Sequence, residues 1–279
     1  MDLNMTKSVR TNASWNPVTS RSTNMLCHPK RLNQPWHWRK PRFVSVSHMS
    51  DLFHESVPDK FIDQVFAAMA LSEEHIFQVL TKQPQRMLEY LTHRDRQEFI
   101  GLANEGHVTP DWLDDHWPIP NVWLGVSIEN QTEADELIPL LLKAPAALRW
   151  ISVTPTGLID LDRVRLDCKN DTWLDWVVVG GKTKPMHPEW ARKLRNQCTE
   201  AGVPFLFKEW GAWVGHSYPY EDVHHIEIDG TDLGVLDGPT KTSWSMKRVG
   251  KKVAERMTGG LLDGDEHKGY PCQAGRIVK

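Results

Sequence analysis

Six short apolar runs recur along this chain, each breaking into polar residues at its C-terminal end. They are Phe43–Val46 into Ser47-His48-Met49-Ser50-Asp51, Ile76–Leu80 into Thr81-Lys82, and Val122–Val126 into Ser127-Ile128-Glu129-Asn130. Trp150–Val153 into Thr154-Pro155, Trp176–Val179 into Gly180-Gly181-Lys182, and Pro204–Phe207 into Lys208-Glu209-Trp210 follow. The intervening stretches are mostly long enough for a helix and two loops. Strands alternating with helices predict an α/β fold with a parallel sheet covered by helices. Near-continuous apolar strands fit burial on both faces. In such folds ligands bind beyond the carboxyl ends of the strands, so the six polar clusters are expected to face one cavity.

The segments between the strands carry their own signals. Ser56-Val57-Pro58-Asp59 starts a helix through Ala70, with Phe61, Ile62, Val65, Phe66 and Met69 at helical spacing. Pro84 to Tyr90 reads as another helix start. Asp111–Pro120, rich in Trp and Pro, reads as a loop. Thr132 is expected to cap a helix with Leu137, Leu140 and Leu141 on its face. His187-Pro188-Glu189-Trp190 opens a helix ended by Gly202. Ser14–Thr19 reads as a short first strand, and Pro35–Pro41 as a Pro-bounded aromatic and basic segment. Beyond Gly215 the pattern changes: His224–Asp232 resembles a hairpin and Lys247–Met257 a short basic helix. The expected domains are an N-terminal segment over 1–41, a barrel core over 42–215 and a small appendage over 216–279.

Bulk properties narrow the function classes. With 279 residues and a net charge of −3, the chain has no global basic field to recruit nucleic acid or anionic lipid. A local basic patch is still allowed. No apolar run approaches the roughly 20 residues of a membrane span. MDLNMTKSVRTNASW holds no apolar signal core, which predicts a protein that is not secreted. Cys27, Cys168, Cys198 and Cys272 form no CxxC pair, which suits free thiols in a reducing cytoplasm. The 13 tryptophans read first as packing between helices and sheet, and second as cleft lining.

Several groups bear chemistry. Asp51, His54 and Glu55, just past a strand end, read either as an acid/base group or as a helix cap with an acidic first turn. Glu129-Asn130-Gln131 is likewise a polar rim or a cap. Gly180-Gly181 is a side-chain-free turn that admits a ligand backbone or simply exits a strand. Lys182 and Lys184 beside it read first as solvated lysines and second as partners for a phosphate or carboxylate. Lys208-Glu209 favours a site if buried, because each buried charge needs a partner. Cys27-His28 is a single adjacent pair with no CxxC partner, His224-His225 alternate across a strand so that their rings point to opposite faces, and HExxH, P-loop and GxSxG motifs are absent from the sequence. No metal ligands are therefore assigned.

A set of ordered motifs carries a resemblance. They are Trp15-Asn16-Pro17-Val18-Thr19, Met49–Glu55 (MSDLFHE), Phe77–Lys82 (FQVLTK), Val122–Gln131 (VWLGVSIENQ), Asp175–Gly181 (DWVVVGG), Pro185–Arg192 (PMHPEWAR) and Phe207–Gly211 (FKEWG), with Val249–Lys252 and Leu262–Gly264 further on. From about residue 14 onward the chain resembles a radical-SAM-like family of phage and prophage proteins of unknown function. The resemblance implies a partial (β/α) barrel that binds S-adenosylmethionine and a [4Fe–4S] cluster held by three cysteines after the first strand. Here that loop is missing: Thr19 runs into Ser20–Pro29 with Cys27 alone, which cannot replace three thiolates. Lys182 stands where the family places a Glu on the cofactor's amine, and Val153-Thr154-Pro155 where it reads Cys-Glu-Pro.

The chain is accordingly read as a degenerate member without cluster or radical activity. Its pocket candidates are Asp51, His54, Lys82, Glu129 and Lys208, with roles unassigned. Ser47, Thr81, Ser127, Asn130 and Trp210 are the substrate-binding candidates, and Gly180, Gly181, Lys182 and Thr154 mark the eroded cofactor end. No cofactor is predicted for this chain. The expected partner is a small molecule or nucleotide; net charge gives no support to nucleic acid, and no membrane is expected. Two alternatives stand beside this reading. One is a radical SAM-family enzyme acting on a nucleotide or nucleic acid, of which this chain is an internally deleted version. The other is a non-catalytic ligand- or partner-binding barrel.

Overall fold

The computed structural model describes residues 27–47, 50–93, 95–103, 108–164, 173–215, 224–230, 232–235, 244–248 and 260–271. Strands β1 (Phe43–Val46), β2 (Ile76–Thr81), β3 (Val122–Ile128), β4 (Leu148–Val153), β5 (Trp176–Gly180) and β6 (Phe205–Glu209) form one six-stranded parallel sheet in the order β1-β2-β3-β4-β5-β6. All six apolar runs are thus strands of an α/β fold. A sequential order sets this sheet apart from the doubly wound kind, whose strand order reverses at a switch point.

Helices α1 (Asp59–Ala70), α2 (Pro84–Leu91), α3 (Arg96–Leu102), α4 (Pro110–Asp115), α5 (Gln131–Lys143) and α6 (Pro188–Ala201) accompany the sheet. No helix among the described residues is long and apolar enough to cross a membrane. The chain divides into two compact units, Met1–Val126 with Leu140–Arg149, and Ser127–Pro139 with Trp150–Lys279.

In the first unit, register places Val44 beside Phe77, and Val79 beside Leu124, on one buried face. Pleating sends Ser45, Gln78 and Leu80 to the other face, where they are half-buried. α1 follows Pro58, whose extended backbone leads into Asp59 in the first turn. Its Ile62, Val65, Phe66 and Met69 are buried. Asn121, just before β3, clips the turn between α1 and β2 by donating from Nδ2 to the carbonyls of Met69, Ser72 and His75 at 3.0, 3.0 and 3.1 Å.

In the second unit, Val177 and Val179 of β5 pair with Phe205 and Phe207 of β6, and all four are buried. α6 opens with His187, whose Nδ1 accepts from Glu189 N at 3.1 Å, and with Pro188 in the first turn. It closes on Gly202 at φ 69°. The segment 267–269 lies antiparallel along β6, through Phe207 N to His267 O at 2.9 Å and Gly269 N to Phe205 O at 2.8 Å. Later strands β7 (Trp213–Gly215), β8 (His224–Ile226), β9 (Asp232–Val235) and β10 (Trp244–Arg248) form an antiparallel sheet in the order β7-β10-β8-β9. β11 (Leu261–Leu262) and β12 (Asp265–Glu266) pair in a small hairpin.

Four local expectations change. Residues 110–115 are helical, because Thr109 caps Trp112 N at 3.2 Å and Pro110 suits a first turn. Asn130, not Thr132, caps α5, since its Oδ1 accepts from Glu133 N at 2.9 Å and Thr132 already lies inside the helix. Lys247 and Arg248 belong to β10, paired with Val214 and Trp213, rather than to a helix. α3 was not expected at all. The expected first strand at 14–19, and residues 249–257, lie outside the described residues.

Candidate functional site

The strand-end residues of the first unit are built around one carboxylate. β1 exits through Ser47, a non-glycine residue at φ 53°, and Ser50 N closes a turn on Ser47 O at 2.8 Å. Asp51 then accepts from three donors: Phe53 N at 2.9 Å, Thr81 Oγ1 at 2.7 Å and Lys82 N at 2.8 Å. Thr81 is buried at the end of β2, and its Oγ1 also accepts from Gln83 N at 2.8 Å. So Asp51 bolts the loop after β1 to the end of β2, and the Thr81-Lys82 backbone is presented in one fixed geometry.

The rest of that loop hangs on Arg86 of α2. Its guanidinium donates to the carbonyls of Phe53, His54 and Val57 and pairs with Asp59 at 2.9 Å. Nothing in the local sequence announces Arg86, because its partners lie 27–33 residues upstream. His54 turns its Nδ1 toward Ser56, accepting from Ser56 N at 3.2 Å with Ser56 Oγ at 2.8 Å. In the neutral ring that leaves the proton on Nε2. The Lys82 side chain is exposed.

Behind the loop, a buried group pins α1, α2 and α3. Asp63 accepts from Tyr90 Oη at 2.7 Å and from Arg96 Nη1 at 2.6 Å, and the Arg96 guanidinium lies 3.7 Å from the centroid of the Tyr90 ring. Burial, then the adjacent Asp63, drives the Tyr90 hydroxyl well above the ordinary phenol range, so it stays a donor.

The second unit uses different means. Asn130 and Glu133 form a reciprocal cap, with Glu133 Oε2 accepting from Glu129 N at 2.8 Å. Thr154 N donates to Ile128 O at 3.0 Å, and Thr156 donates twice to Glu129 O, at 2.8 Å from N and 3.0 Å from Oγ1. The exits of β3 and β4 are thereby laced together. Ser127 is buried at the end of β3.

At the end of β5, Gly181 N donates to Glu209 O at 2.7 Å and Ala212 N to Lys182 O at 3.0 Å. A Cβ on Gly181 would lie 2.6 Å from the Trp210 carbonyl carbon and closer still to its oxygen. One on Gly211, at φ +77°, would lie 2.7 Å from Lys182 N. The paired glycines let two backbone segments cross in contact. Gly180 is different: its missing Cβ would sit at ordinary contact distance, 3.4 Å from Lys208 Cβ and 3.5 Å from Glu209 Cγ.

The charged pair there is unequal. The Lys208 side chain is 55% exposed and its Nζ stands 3.9 Å from Glu209 Oε1, whereas the Glu209 side chain is only 14% exposed. Lys208 therefore does not meet the condition of burial that favoured the pair as a site. The enclosed group at this strand end is Glu209, brought in by the register shift that sets it opposite Gly180. Trp210 donates its indole N–H to Leu261 O at 2.8 Å and packs on Phe207. Trp176, Trp190 and Trp213 likewise donate to backbone carbonyls of Gly269, Ile228 and Thr183.

Thus Asp51, Thr81 and Lys82 are brought together in the first unit, with His54 on the loop they anchor. In the second, Glu129, Asn130 and Thr154 share one set of strand exits. Gly180, Gly181, Lys182, Lys208 and Trp210 share another. Among the described residues no three His, Cys, Asp or Glu side chains are grouped to hold a metal ion. Cys27 has its thiol pushed up by burial, away from a reactive thiolate, and Cys198 is buried.

Residues 3–271 match the family described as "Protein of unknown function (DUF5131)". The chain belongs to DUF5131. The match takes in every strand-end segment described above and is not confined to one unit. No curated protein and no solved structure matches the chain.

Proposed function

We propose that this DUF5131 chain is a cluster-less relative of radical-SAM-type barrels. On this reading it binds a small polar or nucleotide-like ligand at the carboxyl ends of its parallel strands and does not turn it over. The observation that carries the reading is the commitment of Asp51 to three donors. A general acid or base needs a carboxylate with a vacant position toward the substrate. A framework carboxylate spends its acceptor capacity on its own chain, and Asp51 gives most of its roughly four lone-pair sites to three donors of the fold. The sequence supports the same reading through the missing three-cysteine loop, Lys182 in place of a carboxylate, and Val153 and Thr154 in place of Cys and Glu.

Lys182 then favours an anionic ligand group near the end of β5 and disfavours the cationic amine of S-adenosylmethionine. At about 4 Å and an effective dielectric near 20, one unit-charge interaction is of order 4 kcal/mol before solvent reduces it. Even about 1.4 kcal/mol is tenfold in affinity. Titration calorimetry with adenosine and guanosine 5′-monophosphates and with S-adenosylmethionine tests this. Expected are measurable nucleotide binding that Lys182→Glu weakens, and S-adenosylmethionine binding weaker than about 1 mM. Micromolar S-adenosylmethionine binding by the unmodified chain would overturn the reading.

A further inference from the structure

The Pro-bounded segment ahead of β1 takes no part in the strand-end reading, and it carries an independent one. Residues 27–42 contain Lys30, Arg31, Arg39, Lys40 and Arg42 and no Asp or Glu, in a chain whose net charge is −3. Lys30, Arg39, Lys40 and Arg42 are exposed. None of these four is held in an ion pair with a described carboxylate, and the nearby Glu73 and Glu74 on the turn before β2 are also exposed and not paired with them. Trp36 is 44% exposed, one of the few large apolar side chains so placed among the described residues.

The segment is held in shape. Two 3₁₀ turns, Pro29–Arg31 and Pro35–His37, stiffen it. His75 Nε2 donates to Pro35 O at 3.0 Å, and Ile76 N donates to Arg42 O at 2.9 Å. Trp38 packs on the His75 ring with centroids 5.2 Å apart, while the Arg42 guanidinium covers Trp38 at 4.8 Å. Trp38 is thereby used as an anchor and Trp36 is left presented. All of this sits where β1 and β2 begin, at the opposite ends of those strands from Asp51 and Thr81.

We propose that this segment is a docking surface for single-stranded nucleic acid. Exposed cations track a phosphate backbone, and a presented indole offers a face on which an unpaired base stacks. A plain anionic surface would use the cations but not the tryptophan. A duplex keeps its bases stacked on one another and would not engage Trp36 either.

The test uses the full chain and a labelled oligothymidylate of about fifteen nucleotides in an anisotropy titration, with a duplex of equal length and heparin as comparators. Expected is binding to the single strand with a log–log salt slope of about −2 to −3, for roughly three to four phosphates. Arg39→Glu with Lys40→Glu lowers affinity at least about tenfold with an unchanged melting temperature, and Trp36→Ala lowers it roughly fivefold or more while the chain stays folded at the temperature of the titration. Failure to bind the oligothymidylate overturns the proposal. So does equal affinity for duplex or heparin with no loss in Trp36→Ala, which would mark a nonspecific polyanion patch. The losses in Arg39→Glu with Lys40→Glu and in Trp36→Ala separate this surface from a nucleotide site at the strand ends, which those changes leave intact; single-strand binding that both variants keep in full would overturn the proposal.

Discussion

The two units fix their strand-end loops by different physics. In the first, side chains do it: the Asp51 carboxylate joins β1 to β2, and the Arg86 guanidinium gathers the carbonyls of Phe53, His54 and Val57. In the second, at the exits of β5 and β6, close backbone contact does it: Gly181 and Gly211 let two segments cross, and tryptophan side chains add indole N–H bonds to main-chain carbonyls. A charged clamp survives partial substitution, because water or a neutral acceptor takes over some bonds. A backbone crossing has no such reserve, because the intruding atom meets main chain that cannot rotate away. Loop geometry is therefore tunable in the first unit and nearly all-or-none in the second.

The largest effect is expected at Gly181. Gly181→Ala places a Cβ against the Trp210 carbonyl, so the chain is expected to lose about 4 kcal/mol or more, the range reserved for outright steric conflict. Urea unfolding measures it. A loss under about 1 kcal/mol would mean that the 210–212 segment moves easily and would dissolve the contrast.

Next comes the buried group behind the first clamp. Asp63→Ala removes the nearest carboxylate of the Arg96 guanidinium, whose side chain is 5% exposed, and the acceptor of Tyr90 Oη; Asp59 at 3.6 Å and the Tyr90 carbonyl remain to Arg96, so the expected cost is about 3 kcal/mol. Replacing Asp63 and Arg96 together by apolar residues should cost less than the single change, and a denaturant series on both variants checks that sign.

Asp51→Ala is expected to cost less, about 1–3 kcal/mol, as Thr81 Oγ1, Phe53 N and Lys82 N lose their acceptor at a partly exposed position. Asp51→Asn keeps one acceptor oxygen and should recover part of the loss. A stability change in Asp51→Asn equal to that in Asp51→Ala would show that charge, not geometry, is what the clamp uses.

The smallest effect is electrostatic. Asp263 accepts from Arg192 and Arg195 of α6, and the Arg192 hydrogen bond leads in holding its carboxyl below the usual range against a desolvation cost. A depressed folded value means the stabilisation is present above the unfolded carboxylate value and is lost as pH falls through the folded one. The side chain is about a third exposed, at 31%, so the contribution is expected to stay below about 1 kcal/mol. Acid melting curves of Asp263→Asn should be flatter than those of the unmodified chain below the ordinary carboxylate range.

These contrasts also explain what the sequence could and could not tell. The six strands were legible because a buried parallel strand writes itself as an apolar run. α6 was legible because His187, Pro188 and Gly202 mark both of its ends. α3 was not, since its Arg96 and Gly101 are buried in a seven-residue helix that breaks the apolar pattern. At the candidate site, the sequence marks Asp51 and Thr81 only by their position at strand ends, which is a matter of topology. Their mutual bond spans 30 residues and leaves no local trace. Gly181 was read for its lack of a side chain, which is correct chemistry. Whether ligand or chain fills the space is a three-dimensional question, and Trp210 fills it. Glu209 was overshadowed by Lys208 because the register shift that turns it inward is invisible in an apolar count.

The central claim is that the strand ends of this DUF5131 chain are a framework for binding and not a site of radical chemistry. Anaerobic iron–sulfide reconstitution followed by incubation with S-adenosylmethionine and reductant tests it most directly. The account predicts no stoichiometric iron and no 5′-deoxyadenosine. About four irons per chain together with formation of 5′-deoxyadenosine would contradict it.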